Sequence, residues 1–313
     1  MLKGFIDIIF TTDFFASTLR LAAPLLLAAM GGIVSERSGV LNMGLDGMML
    51  MGAFFAFAGV YFTGNVWVGL LCAMLSGLVL GIIHAFSCVS LGLNQVVTAV
   101  AINIFSLGIT SSLLRTFFGT TTNALRSAGF TPWEIPILSK IPILGPIFFK
   151  QTVLVYIAMI LVPITHYVFF HTTWGLKIRA VGEHPRAADT MGVKVLTVRW
   201  LAVLYSSAMG GLAGAALSIT GLNTFIDNMS AGRGFIAFAC IILGKFSPWG
   251  VAIAAVFFGL ADSLQLRIQA IGLPIPYQFP IMFPYILTLV VLFVSGVSIS
   301  PKAWGSPYLQ DEE

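Results

Sequence analysis

The stretch VWVGLLCAMLSGLVLGIIHAFSCVSL, residues 66–91, contains no Asp, Glu, Lys or Arg. A helix needs roughly 20 largely apolar residues to cross the hydrocarbon core of a bilayer, and this run exceeds that length. In lipid every backbone amide and carbonyl must be satisfied internally, so a single apolar segment of this kind can only be a helix. Comparable runs occupy residues 14–34, 41–62, 95–119, 152–170, 198–221 and 280–298. Two shorter apolar pieces, residues 235–246 and 249–264, are separated at Ser247-Pro248. Proline lacks an amide donor and disrupts a helix interior, so these pieces form a hairpin or a broken helix. The runs together predict about nine crossings, within a range of roughly eight to ten. The fold class is therefore an all-α polytopic membrane helix bundle with interrupted helices, and residues 1–313 form a single transmembrane domain.

Composition agrees with this reading. Of 313 residues, 58% are hydrophobic and 9% charged, against about 25% charged in an ordinary soluble domain. The mean hydropathy is +0.97. A net charge of +4 and a pI near 9.1 do not indicate nucleic acid, because the basic residues fall mainly in short gaps between apolar runs. That placement is the pattern by which Lys and Arg orient membrane helices. Cys72, Cys88 and Cys240 sit singly in apolar stretches and read as small buried hydrophobes. His84, His166, His171 and His184 share no ligand spacing, so no metal site is expected. Residues 1–12 carry Lys3 and Asp7 without a small-residue cleavage pattern, and read as an interfacial helix rather than a removable signal.

Two loops stand out. Residues 120–151 carry Pro132, Trp133, Pro136, Pro142 and Pro146, an ordered loop lying at the interface. Residues 172–197 hold Lys177, Arg179, Arg186 and Lys194 against Glu183 and Asp189, an excess that places this loop in the cytoplasm. Loop 120–151 then falls outside. Counting crossings puts Ser35-Glu36-Arg37 and the C-terminus inside, and the N-terminus outside. A possible internal repeat links residues 45–81 with residues 235–264: each has an apolar piece, a turn with Trp67 or Trp249, then a glycine-spaced helix.

Polar residues inside the spans are few. Gln95, Asn103, Ser106 and Thr110 fall within an arc of roughly 80 degrees at helical spacing. Such a stripe either lines an aqueous path or hydrogen-bonds to neighbouring helices. Amides suit a neutral solute, because they donate and accept without a counter-ion. Asn42 and Asp46 lie four apart on one face at the start of the second span. They either line the same pathway, or Asp46 pairs with Arg37 or caps its helix. Arg233, between Gly232 and Gly234, either orients a solute, pairs across subunits or snorkels to the interface. Arg20, Asp262 and Arg267 read as anchors near helix ends. Ser207, Gly210, Gly214 and Ser218 read as close helix packing, with a partner subunit as one candidate surface.

The most informative loop segment is GLKIRAVGEHPRAADTMG, residues 175–192. Pro185 suits a first helical turn and Gly192 a C-terminal stop, with Ala188 and Met191 forming a small apolar face between them. It is either a short helix that a cytoplasmic partner grips or a solvated connector. It resembles the cytoplasmic coupling loop of permeases in the ribose and branched-chain amino-acid class of ABC importers. ERSGVLNMGLDGMMLMG, residues 36–52, resembles the first-half motif of that class, and GRGFIAFACIILGKFSPWG, residues 232–250, the second-half motif. Within the class the chain is most similar to nucleoside permeases that work with a Bmp-type lipoprotein, although Asp46 stands where that group often has Glu.

The resemblance implies a bacterial plasma-membrane permease subunit for nucleosides or related simple sugars, moving solute inward by alternating access. It implies pairing with a second related permease on a cytoplasmic ATPase that holds the ATP and magnesium. An extracytoplasmic solute-binding lipoprotein would deliver the solute. It assigns Arg179, Gly182, Glu183, Pro185, Arg186, Ala187, Ala188 and Gly192 to coupling with the ATPase, and no catalytic residue to this chain. No Gly-x-x-x-x-Gly-Lys-Ser/Thr loop is present to cradle ATP phosphates. An ion- or proton-coupled secondary transporter is the alternative, but it needs acidic groups deep in the spans, and few occur. An intramembrane enzyme would need paired acid–base or nucleophilic groups at depth, and none is evident.

Overall fold

In the computed structural model, residues 11–119, 126–134, 136, 139, 141, 144–271, 278, 282, 286, 293 and 300–308 are described. The long helices are α1 (Thr12–Arg37), α2 (Leu45–Thr63), α3 (Val66–Ala85) with a π turn at Phe86–Ser90, and α4 (Gln95–Phe118). A short strand β1 (Trp133–Glu134), helix α5 (Leu144–Phe148) and strand β2 (Lys150–Gln151) follow. Then come α6 (Val153–His171), α7 (Thr173–Glu183), α8 (Pro185–Thr190) and α9 (Val195–Ala215), the last prolonged by a π turn at Ala216–Leu222. The described helices close with α10 (Arg233–Leu243) and α11 (Pro248–Ile271).

Among the described residues, 7 helices are long and apolar enough to cross a membrane: α1, α2, α3, α4, α6, α9 and α11. The piece expected at residues 249–264 thus grows into a full span. Helix α10 has 11 residues, about 16 Å at 1.5 Å per residue, roughly half the hydrocarbon core. Most of the span expected at residues 280–298, and residues 1–10 of the expected interfacial helix, lie outside the described residues.

Helices α1 and α9 form the centre, each with 78% of its apolar window buried, whereas α4 has 22% buried. Helix α9 packs against α2 and α3, α1 packs against α11 and α10, and α1 and α9 pack on each other. Glycine allows the central approach. A Cβ on Gly214 would stand 1.9 Å from the Met49 carbonyl oxygen, and one on Gly52 2.2 Å from that of Gly211. Gly210 lies against Met48, and Ser207 against Gly81. The small-residue stripe of α9 therefore packs within this chain, against α2 and α3, and not against a partner. Close backbone approach is what small residues supply where lipid gives no hydrophobic drive between helices.

The sequence places the start of the second span at Leu41, but the helix starts at Leu45. Residues 40–42 are irregular. The loop at residues 120–151 is tied to the bundle where it is described. Ser127 N donates to the Asn223 carbonyl at 2.9 Å, Phe130 N to that of Ile219 at 3.0 Å, and β1 pairs antiparallel with β2. Arg20 donates to Gln151 Oε1 at 3.0 Å, which anchors α1 to this loop.

Candidate translocation path and coupling face

Buried backbone outside a helix must take its hydrogen bonds from elsewhere in the protein. Residues 40–44 meet that demand with side chains from three helices, α1, α3 and α4. Ser35 Oγ donates to the Val40 carbonyl at 2.9 Å, and Gln95 Oε1 accepts from Leu41 N at 2.7 Å. His84 Nε2 lies 3.2 Å from the Leu41 carbonyl, and fully buried Glu36 accepts from Asn42 N at 2.8 Å. Asn103 Nδ2 donates to the Met43 carbonyl at 3.1 Å, while its Oδ1 accepts from Gly47 N at 2.8 Å. A second side of Glu36 accepts from Trp304 Nε1. Gln95 and Asn103 thus act in place of a helix's own carbonyls and amides. Glu36, His84 and Trp304 were not singled out from sequence, because nothing in their local spacing marks them as partners of a distant backbone break.

Asp46 does not pair with Arg37, whose Nε donates to the Phe246 carbonyl at 2.8 Å. Nor does it cap its own helix through a local turn. It accepts from Gly234 N at 3.0 Å and from Ser230 Oγ at 3.1 Å, so it caps the N-terminus of α10 from across the bundle. A helix N-terminus exposes unpaired amides and the positive end of the peptide dipoles, which a carboxylate satisfies on both counts. A Cβ on Gly234 would lie 2.2 Å from Asp46 N, so glycine is what lets the two helices meet. Arg233 donates to the Met229 carbonyl at 3.2 Å. Asp262 lies within α11 (Pro248–Ile271) and not at the helix end expected of an anchor. The segment before α10 is bent sharply, with positive φ at Asn223, Asn228 and Ala231.

The polar stripe divides into two sets. Gln95, Ser106 and Thr110 are buried, and Asn103 is half-buried. Ser106 and Thr110 hydroxyls donate to carbonyls of their own helix, at Ile102 and Ser106 respectively. Asn42 is fully buried and donates to Ser206 Oγ at 3.0 Å. Asp46 and Asn103 are thus the two partly exposed members of the set, Asp46 at the α10 N-terminus and Asn103 on the backbone of Met43 and Gly47. Asn42 Oδ1 and Gln95 Nε2 are buried without a hydrogen-bond partner among the described residues. Among the described residues no group of three or more His, Cys, Asp or Glu is placed to hold a metal ion.

Loop 172–197 folds into α7, α8 and a sharp stop. Thr172 caps α7 by accepting from Gly175 N at 3.2 Å, and Pro185 takes the first position of α8. Gly192, at φ +81°, donates to the Asp189 carbonyl at 2.8 Å while Val193 N donates to that of Ala188 at 3.0 Å. This paired closure needs a left-handed residue after the helix, which glycine adopts without strain. The expected apolar face is corrected: Ala188 turns inward, and Met191 alone projects, 83% exposed. Three-residue spacing fails here because Met191 already lies beyond the last helical turn. Gly182 is buried, and a Cβ there would stand 2.0 Å from the Arg37 carbonyl oxygen. Glu183 is half-buried. Arg186 and Ala187 are exposed, Pro185 and Arg179 half-buried. The turn after Arg37, the α7–α8 pair and residues 300–308 share one end of the bundle.

A family model described as the permease component of branched-chain amino acid transport systems matches residues 14–295. A guanosine ABC transporter permease protein of Bacillus subtilis is 41% identical over 305 residues, covering 94% of this chain and 95% of that one. A nucleoside ABC transporter permease protein of Lactococcus lactis subsp. cremoris is 36% identical over 309 residues, covering 95% and 96%. A second guanosine ABC transporter permease protein of Bacillus subtilis is 26% identical over 293 residues, covering 89% and 80%.

Proposed function

Because the chain belongs to the permease-component family of branched-chain amino acid transport systems, we propose that it carries nucleosides inward as one half of a paired permease. It is a multi-pass integral membrane protein of the bacterial plasma membrane and a permease subunit of an ABC importer. The observation that carries the solute assignment is near full-length similarity to permeases for guanosine and nucleosides. The polar junction suits that solute: Asp46, Asn103, Ser230 and Arg233 mix donors and acceptors fit for ribose hydroxyls and base edges. Asp46 and Asn103 face the path. Asn42, Gln95, Ser106 and Thr110 hold its wall in register, and the unpartnered Asn42 Oδ1 and Gln95 Nε2 find partners when the wall moves.

Hydrolysis takes place in a cytoplasmic ATPase, where ATP and magnesium bind. Arg179, Gly182, Glu183, Pro185, Arg186, Ala187, Ala188 and Gly192 build the element that the ATPase displaces. A second, related permease completes the path, as the two guanosine permease proteins of one bacterium suggest by analogy. An extracytoplasmic lipoprotein delivers the solute. The test is uptake of labelled guanosine into proteoliposomes holding both permeases, the ATPase and the lipoprotein. ATP-dependent guanosine uptake that excess glucose does not compete away is expected. Preference for glucose would overturn the solute, and uptake driven by an ion gradient without ATP would overturn the energy source.

Met191 gives a sharper check on the docking face. Replacing this exposed side chain with Asp should weaken capture of the ATPase about tenfold while leaving thermal stability unchanged, because the side chain packs on little of its own chain. Unaltered capture would move the docking face elsewhere.

A further inference from the structure

Residues 300–308 belong to none of the described spans yet touch α1, α7, α8, α9 and α10. Ala303 N donates to the Gly182 carbonyl of α7 at 2.9 Å, and Gly305 N to that of Gly39 at 3.0 Å. Tyr308 OH donates to Asp189 Oδ2 of α8 at 2.9 Å. Arg199 of α9 donates to the Ser306 carbonyl at 3.0 Å and lies over the Tyr308 ring. Trp304 inserts between these contacts. Its Nε1 donates to buried Glu36, its ring stacks on Phe238 of α10 at 6.2 Å and 13°, and it meets Phe246 edge-on at 5.7 Å.

Phe246 is itself unusual. It and Lys245 both hold φ +52°, a conformation costly for a bulky side chain. Arg37 grips the Phe246 carbonyl and Trp304 its ring, so the strained turn between α10 and α11 is held by the same assembly. Phe238 stands one turn along α10 from Gly234, the residue Asp46 caps.

We propose that residues 300–308 are a transmission strap, with Trp304 as its positioning residue, that carries displacement of α7 and α8 to α10 and to the Glu36–Asn42 backbone break. This rests on the reading of α7 and α8 as the ATPase-driven element. Tyr308 and Ala303 are the strap's grips on the driven helices, and Trp304 is its grip on the wall of the path. Glu36 ties that grip to the α1–α2 turn, since the same carboxylate also holds Asn42 N.

The test uses the complete transporter in proteoliposomes and reads two quantities: ATPase capture, and nucleosides moved per ATP hydrolysed. Trp304→Ala should leave capture unchanged and lower the transport ratio about fivefold or more, the range of a typical coupling energy. Trp304→Phe keeps an aromatic ring on Phe238 but loses the donor to Glu36, and should fall between. Tyr308→Phe removes the bond to Asp189 and should lower the ratio with no change in assembly. A Trp304→Ala complex with wild-type capture and wild-type ratio overturns the strap. If Trp304→Ala fails to assemble, unchanged ratios in both Trp304→Phe and Tyr308→Phe overturn it instead. If the unaltered chain captures no ATPase, the proposed function fails first and the strap with it.

Discussion

Replacing Asp46 with Ala should remove most solute uptake while the permease still assembles. The substitution strips the cap from α10, leaving the Gly234 amide and the Ser230 hydroxyl without their acceptor. A buried donor left unsatisfied costs about 1–3 kcal/mol, enough to shift α10 by tens of fold between two arrangements but small beside the packing of seven apolar spans. Asp46→Glu keeps the charge and should restore the larger share of uptake. Asp46→Asn keeps an acceptor without the charge and should restore less, because the helix N-terminus favours an anion. Asn103→Ala is the matched partner: it frees Gly47 N and the Met43 carbonyl, and should also reduce uptake more than assembly. Labelled-solute uptake and the monodisperse fraction in detergent, measured on the same preparations, separate the two effects. Equal loss of both would reduce Asp46 and Asn103 to packing roles.

The largest expected effect on folding comes from Gly211→Leu. A Cβ at that position would stand 2.1 Å from the Ala73 carbonyl oxygen, 3.0 Å from the Ala73 carbonyl carbon and 3.3 Å from Gly77 Cα. The obstructing atoms are backbone of α3, which cannot rotate away as a side chain would. The clash sits where α9 meets both α2 and α3, so relief means separating central helices. Overpacking of a tight core costs about 1–3 kcal/mol and occasionally more; a leucine forced against backbone belongs to the upper end. The expected result is loss of the monodisperse species and of ATPase capture together. Gly108 on α4 is the control, since a Cβ there meets nothing within 4 Å. Gly108→Leu should purify like the unaltered chain. A Gly211→Leu protein with unchanged melting would mean that α9 does not pack on α3 as described.

Much of the bundle is readable from the sequence because crossing a bilayer is a local requirement. Run length, absence of charge and the Ser247-Pro248 break each report on one segment, and α1, α3, α4 and α6 appear close to where apolar runs begin and end. Pro185 and Gly192 were readable for the same reason, since helix start and stop chemistry involves only neighbours in the chain. The site was less legible. Asp46 at the head of a span suggests a local cap or a bond to Arg37, but its partners lie 184 and 188 positions away. The polar stripe is visible as periodicity, yet periodicity does not say whether a face meets water, substrate or another helix's broken backbone. Ala188 and Met191 show the limit at small scale, because one residue past a helix end the spacing rule no longer sets direction.

The sequence by itself determined that this is a polytopic membrane helix bundle with a basic loop holding a short helix, since those features follow from hydropathy and cap chemistry within single segments. Only the tertiary structure decided that Glu36, Gln95, His84 and Asn103 serve one irregular stretch of backbone, that Asp46 belongs to α10, and that residues 300–308 bind the loop to the bundle. Hydrogen-bond partners are chosen by proximity in space. When the groups that satisfy a broken helix come from three separate helices, no window of sequence contains both the need and its answer.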